Sequence, residues 1–445
     1  MKHSKYLNML MLAFWAISLS AQQPSSENKG VQKFSLQEAV NYAKKYNYTL
    51  KNNALEVVVA QQKVKEILAL GMPNVSASGS FTNNIVVPSN VINFGGQVTV
   101  IKFGNEFAAS GSISATQLLF DGGFLMGVKA SKEFVNLSKI NLKRSEIETE
   151  VGVSKAYYTV LLLKTNIDLL TVNLNTLEKT KGDVEKLYQN GLLEKTEFDR
   201  ISLQYSSLSL QRDKLTDQHK LATMVLKVQM GLKTNDEIEL TDDLLKMYET
   251  SKTTLIESTI DYTKRPEYQL LEQQIRLNTL DKKRYQFGYA PTLTGYITHQ
   301  ENTFGQTFGE LSNQWFPGTI WGLNLSVPIF DGFKKSSQIQ QAKINISKAE
   351  NDKKNLESFI NQEVFNAKTT YQRSGEQLEI QKKNMQLAQE IYDRTQIKYK
   401  NGVGSSLELT TSQNDLETAR ANYLNTLYEY FVAQLDLRKA TGNIK

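Results

Sequence analysis

Gln117-Leu-Leu-Phe-Asp-Gly-Gly123 and Val327-Pro-Ile-Phe-Asp-Gly-Phe333 are one passage written twice. In each, an apolar run ends at Phe-Asp-Gly, and helix-compatible sequence free of proline follows. A carboxylate at that point can accept from the first free N–H groups of a helix, so Asp121 and Asp331 are read as strand-to-helix caps in preference to cation ligands. Two further pairs extend the match. Pro73-Asn-Val corresponds to Pro291-Thr-Leu, and Lys186-Leu-Tyr-Gln-Asn-Gly191 corresponds to Ile397-Lys-Tyr-Lys-Asn-Gly402. The offset is 218 at the proline, 210 at the aspartate and 211 between Tyr188 and Tyr399. The drop at the aspartate comes from unequal β segments, 47 positions from 73 to 120 against 39 from 291 to 330. A duplication with one loop trimmed and the helices kept in register gives this pattern.

Glycine and proline mark where the helices stop. Of 25 glycines, 16 fall within 71–127 and 288–332. Proline is absent from 89 to 265 and from 329 to 445. Outside the two windows the chain is rich in Leu, Lys, Glu, Gln and Asn, as long solvated helices are. The spacing predicts a first repeat over 35–231, with a helix to about 70, a β-hairpin at 74–120, a long helix at 124–189 and a return helix at 195–231. A second repeat over 254–442 has a helix to about 288, a β-hairpin at 292–330, a long helix at 333–400 and a return helix at 405–441. An insertion at 232–253 separates them, and 22–34 form an N-terminal extension. Ile167, Leu170, Leu174, Leu177, Lys181, Val184 and Tyr188 step by three and four, a heptad seam with one polar interruption. Leu409, Leu416, Tyr423, Tyr430 and Leu437 recur every seven residues on the second return helix. Asn190-Gly191 and Asn401-Gly402 then read as helix ends and turns. The expectation is two antiparallel coiled-coil hairpins, each joined to a β-hairpin.

Composition removes several classes of function. With no cysteine there is no disulfide framework, thiol nucleophile or Cys-ligated metal. Three histidines, one of them His3, make a histidine metal centre improbable. No phosphate-cradling or dinucleotide glycine motif follows a strand, so no enzyme, cofactor or metal is expected. A net charge of +6 spread along the chain leaves no nucleic-acid footprint. Residues 1–21 read as a secretory signal peptide: Lys2 and Lys5, an apolar core from Met9 to Ile17, then Ser18, Ser20 and Ala21 before the cut.

The strands decide between two classes. Trp321, Leu323, Leu325, Val327 and Ile329 alternate with Gly322, Asn324, Ser326 and Pro328, giving one apolar face at period two. Ser110, Ser112, Ser114 and Thr116 alternate with Ala109, Gly111, Ile113 and Ala115 more weakly. Two hairpins supply four strands, too few to close a barrel, and open edges do not survive in lipid. Either the strands form a water-soluble sheet, or several chains share one barrel. The Trp/Leu/Val face favours sharing.

The signal peptide, the duplicated order of helix, β-hairpin, long helix and return helix, and the Tyr-x-x-Gly tips together resemble the TolC-type outer-membrane efflux channels. The likeness covers essentially the whole mature chain. It is most specific at Val327-Pro-Ile-Phe-Asp-Gly and from Tyr399-Lys-Asn-Gly through Leu407-Glu-Leu to Gly442. It implies a mainly α fold with a β-barrel portion: a homotrimer with a shared 12-stranded barrel and a long periplasmic α-helical tunnel. Its partners would be itself, outer-membrane lipid, a periplasmic adaptor and an inner-membrane pump or ABC exporter, with no nucleic acid. Segment 232–253 resembles the equatorial insertion of that family. Trp321, Leu323, Leu325 and Val327 become the lipid-facing strand, and Tyr188, Gly191, Tyr399 and Gly402 the docking tips. Glu197 and Glu408 become entrance-gate candidates. In some relatives the counterpart of Glu197 pairs with a basic residue, and that basic position is Gly404 here. Glu408 also completes a capping-box pattern, Ser405-Ser-Leu-Glu408, and the two roles are compatible. The competing reading is a periplasmic coiled-coil scaffold or adaptor without a pore.

Overall fold

The computed structural model describes residues 31–102, 104–251 and 260–444. The signal peptide at 1–21, most of the N-terminal extension and the first residues of the second repeat lie outside the described residues. A short strand β1 (Gln32–Phe34) leads into helices α1 (Leu36–Tyr46) and α2 (Tyr48–Ala69). Strands β2 (Asn74–Asn83), β3 (Ser89–Phe94), β4 (Gln97–Lys102) and β5 (Phe107–Phe120) precede helices α3 (Gly122–Gln189) and α4 (Lys195–Met230). Strand β6 (Ile238–Leu240) and helix α5 (Leu244–Ser251) follow. The second repeat runs through α6 (Pro266–Phe287), β7 (Thr292–Gly305), β8 (Phe316–Ser326), α7 (Lys334–Lys400) and α8 (Ser406–Ala440).

Helices α3 and α7 hold 68 and 67 residues, each ~100 Å at the usual helical rise. Each is held by its return helix through the heptad seam. Leu170, Leu174, Leu177 and Val184 of α3 join Ile201 and Leu208 of α4 in one buried cluster. Lys181 interrupts that seam with its ammonium 5.3 Å from the centre of the Tyr205 ring. On α8, all five heptad residues from Leu409 to Leu437 are buried. At mid-length a second cluster gathers Tyr157, Leu161, Leu226, Leu424 and Phe431 under the insertion. There β1 pairs in parallel with β6. Asp242 fixes that pairing: its carboxylate accepts from the Leu36 N–H at 2.7 Å and from the Tyr157 hydroxyl at 2.9 Å.

Four details depart from the sequence reading. The helix expected over 35–70 breaks at Asn47, whose amide donates to the Gln229 carbonyl while its oxygen accepts from the Leu50 N–H. The end of α4 wedges into that break. Gly231 has φ +81°, and a Cβ there would stand 2.4 Å from the Tyr46 carbonyl oxygen. The helix expected to end near 288 begins only at Pro266. Before it, buried Arg265 pairs with Glu363 at 2.6 Å and donates to the Ala440 carbonyl. The β-hairpin expected over 74–120 carries a second antiparallel ribbon, β3–β4, between its long strands, turned by Gly95 and Gly96, both with positive φ. Last, the two aspartates are not equivalent. Asp121 is the N-cap of α3 and accepts from the Phe124 N–H at 2.7 Å. Asp331 is not the N-cap of α7. Gly332 and Phe333 both adopt left-handed φ, near 64° and 66°, so Phe333 becomes the N-cap residue. Asp331 reaches the helix later, accepting from the Lys335 N–H at 3.0 Å.

The sheet has the order β2-β5-β7-β8, all antiparallel, with β2 and β8 as free edges. Residues opposite one another across an antiparallel ladder share a face, so the register sorts every side chain. Leu325 faces Leu293, Leu323 faces Gly295 and Trp321 faces Ile297, which faces Ala115, which in turn faces Val75. That face is apolar and open, with Trp321 76% exposed and Leu323 and Leu325 each 62%. The opposite face is uncharged, with hydroxyls and amides beside Ile320, Phe304 and Phe316. Asn324 lies on it against Thr294, and its carbonyl accepts from the Thr294 hydroxyl at 3.4 Å.

Leu323→Arg should therefore cost about 2–4 kcal/mol per chain at mid-membrane and sharply reduce the unheated oligomer recovered from membranes. Asn324→Arg, one residue away on the polar face, should leave most of the oligomer intact. Equal losses for the two variants, read from unheated gels and urea unfolding in lipid, would contradict the face assignment.

Candidate functional site at the hairpin tips

At the end farthest from the sheet, α3 turns into α4 and α7 into α8 by the same device. The Gly191 N–H donates to the Tyr188 carbonyl and the Leu192 N–H to the Leu187 carbonyl. In the second hairpin, Gly402 donates to Tyr399 and Val403 to Lys398. This double bond pattern closes a helix on a left-handed residue. Gly191 and Gly402 supply it, with φ of 72° and 74°. No atom lies within 4 Å of a Cβ built at either glycine. The glycines are thus required for backbone direction, and the space beside them is open. Gly404 differs: a Cβ there would meet the Tyr399 nitrogen at 3.0 Å. Close approach of two backbone segments explains why no side chain occupies that position.

Between the two tips lies a cavity of about 480 Å³, lined among others by Val184, Leu187, Glu197, Tyr399, Gly404 and Leu409. The structure thus brings Glu197 and Tyr399 together. Tyr399 turns its hydroxyl away from water, where it has no hydrogen-bond partner among the described residues. Burial pushes the Tyr399 phenol up, and the nearby Glu197 carboxylate pushes it further, so the group stays neutral. Its counterpart Tyr188 is on the outside, stacked on Phe198 with ring centres 5.9 Å apart.

Glu197 and Glu408 occupy matching places, since 408 − 197 = 211, the offset that relates Tyr188 to Tyr399. Both sit in the first turn of a return helix, where the helix dipole favours a carboxylate. Their surroundings differ. Glu197 is half-buried beside Tyr399, whereas Glu408 is exposed. The Ser405 hydroxyl accepts from the Glu408 N–H at 3.2 Å, but no bond returns from the Glu408 carboxylate to the Ser405 N–H. The capping box is half-formed, unlike the complete Ser35–Glu38 box on α1. The Glu408 carboxylate is left facing water.

Sequence reasoning missed the polar contacts that join the two hairpins above the tips. The Gln204 amide of α4 donates to Asn414 of α8 at 2.7 Å. Further up, Asn173 of α3 donates to Glu417 of α8, and Arg420 bridges Glu417 and Gln389 of α7. Burial pushes the Glu417 carboxyl up, against the opposing pull of Arg420. A heptad pattern identifies the apolar seam of one hairpin but not which polar residues meet a second hairpin.

Comparison with known proteins agrees with this geometry. Residues 288–443 match the family model for outer membrane efflux proteins. The outer membrane protein TolC of Escherichia coli is 20% identical over 425 residues, covering 92% of this chain and 82% of TolC. The CmeC outer-membrane channel of Campylobacter jejuni superposes with a TM-score of 0.72 at 16% identity, over 92% of this chain and 85% of CmeC. The open-state MtrE channel of Neisseria gonorrhoeae gives 0.70 at 16% identity, over 92% of this chain and 88% of MtrE. Duplicated hairpins, an open four-stranded sheet and these matches together give the chain the fold of the TolC-type outer-membrane channels, with residues 288–443 resembling the outer membrane efflux protein family.

Proposed function

We propose that the chain is the outer-membrane channel of a tripartite efflux or type I secretion system, a passive duct formed by three copies. One observation carries this. The four-stranded sheet has an apolar outer face and two unpaired edges, and it is fused to two hairpins ~100 Å long. In lipid the edges must pair, and three chains of four strands close a barrel of 12. The helices then stand in the periplasm as a tunnel. Against a soluble scaffold stands the exposure of Trp321, Leu323 and Leu325 on one continuous face, an apolar patch that water would penalise.

The tips are the proposed docking surface for a periplasmic adaptor, with an inner-membrane pump or ABC exporter beyond it. Gly402 has open space around it, so bulk added there meets a partner before it meets this chain. Glu408 is the proposed entrance residue. Three exposed carboxylates brought together by threefold symmetry would repel one another and attract cations. Without a basic side chain at Gly404, an ionic lock at Glu197 has no partner there; Tyr399 is the neighbour that remains. No catalytic step enters this reading.

Gly402→Trp should leave trimers in the outer membrane while abolishing export and adaptor crosslinking near residue 402. Loss of the trimer itself would make the glycine purely structural. Glu408→Gln should keep the trimer and its thermal stability, yet weaken cation selectivity and divalent block in planar bilayers. Ser405→Ala should do the reverse, lowering stability by about 0.5–2 kcal/mol through loss of the cap with selectivity unchanged. Wild-type selectivity and block in Glu408→Gln would remove the carboxylate ring.

A further inference from the structure

Everything charged on the four sheet strands faces outward. Among the residues of β2, β5, β7 and β8, the only Asp, Glu, Lys, Arg or His are His299 and Glu301. The register puts His299 opposite Thr319 and Ile113, on the same face as Trp321 and Leu323. There His299 shares a hydrogen bond with the Thr319 hydroxyl at 2.8 Å. The inner face carries uncharged side chains only, hydroxyls and amides together with Ile320, Phe304 and Phe316. Ser78 bonds Ser112 at 2.9 Å, Ser80 bonds Ser110 at 2.7 Å, and Ser114 bonds Thr298 at 3.0 Å. These rungs cross from β2 to β5 and from β5 to β7, so hydroxyl bonds span three of the four strands.

Such a wall has a definite electrical property. A hydroxyl bonded to its neighbour still offers lone pairs to water, so the surface is wetted without carrying net charge. The tip carboxylates stand a whole hairpin away, many times the screening length of about 8 Å in physiological salt. Their field does not reach the sheet.

We propose that the membrane-spanning lumen is a charge-neutral, hydroxyl-lined conduit that passes hydrated solutes of either sign without sorting them. Selection by charge then lies outside the membrane span, in the helices, the tips and the partners beyond them. The cargo class admitted by the barrel is set by size and hydration, not by charge. This rests on the reading of the chain as a pore whose polar sheet face lines the water path.

The absence of cysteine makes the test direct. A single thiol is introduced as Ser112→Cys, and in a second variant as Thr298→Cys, in the full chain assembled in membranes. Each is treated with cationic and anionic methanethiosulfonate reagents of similar size, and rates are normalised to those with free mercaptoethanol. The normalised cation-to-anion ratio should stay within about threefold of one at both positions, as expected for a lumen near zero potential. Adding Ser110→Asp beside Ser112→Cys should move the ratio toward the cation by about tenfold at low salt. A ratio already displaced by about tenfold in either single-thiol variant, or no response to Ser110→Asp, would overturn the proposal. Failure of the pore reading would look different. A scaffold that buries its apolar face while in water would be released from membranes by carbonate, whereas a pore with a charged lumen would stay in the membrane with a displaced ratio.

Discussion

An antiparallel sheet of four strands has two edges whose N–H and C=O groups need partners, and hydrocarbon offers none. This is the constraint on which the rest of the structure depends. The strands β2 and β8 cannot pair with each other within one chain, because four strands do not curl into a barrel with a filled or open interior. Closure requires further copies, and the apolar face bearing Trp321, Leu323 and Leu325 fixes which way the closed sheet must turn. In the proposed trimer the helices below the barrel inherit its threefold symmetry. The two tips of each chain become parts of a ring.

Duplication built the frame, and divergence within the duplicate built the site. Both hairpins end in the same turn, held by equivalent backbone bonds at Gly191 and Gly402. The side chains around those turns have separated. Tyr188 stacks outside on Phe198, while Tyr399 turns inward with its hydroxyl buried beside Glu197. Glu197 is drawn into the cavity between hairpins, while Glu408 stays in water with its cap half-formed. The duplicated repeat therefore presents two chemically different tips, one with its carboxylate beside the sister hairpin and one with its carboxylate in water.

Much of this was legible in the chain itself. Periodicity of seven found the seams of α3 and α8, and the Asn-Gly pairs found both tips. The alternation from Trp321 to Leu325 found the apolar face of β8, because a strand writes its two environments directly at period two. What escaped was tertiary. The break at Asn47 is imposed by the end of α4, whose Gly231 presses against Tyr46 from 185 positions away. Asp331 looks like Asp121 in sequence, but Gly332 and Phe333 insert a left-handed step that delays the helix. The ribbon β3–β4 was marked by Gly95-Gly96, a turn pair flanked by valines and isoleucines that reads as a loop when only its glycines are counted. The bridges Gln204–Asn414 and Asn173–Glu417 join residues far apart in sequence, and a single chain carries no local signal for them.

Stoichiometry is the point on which the account is most exposed. Native mass spectrometry of the protein extracted from outer membranes without heating should give three copies of the mature chain. Cysteine pairs placed on the β2 and β8 edges of this cysteine-free sequence should link neighbouring copies on oxidation. A folded monomer that conducts ions in a bilayer, or one released from membranes by carbonate with its sheet intact, would contradict the shared barrel.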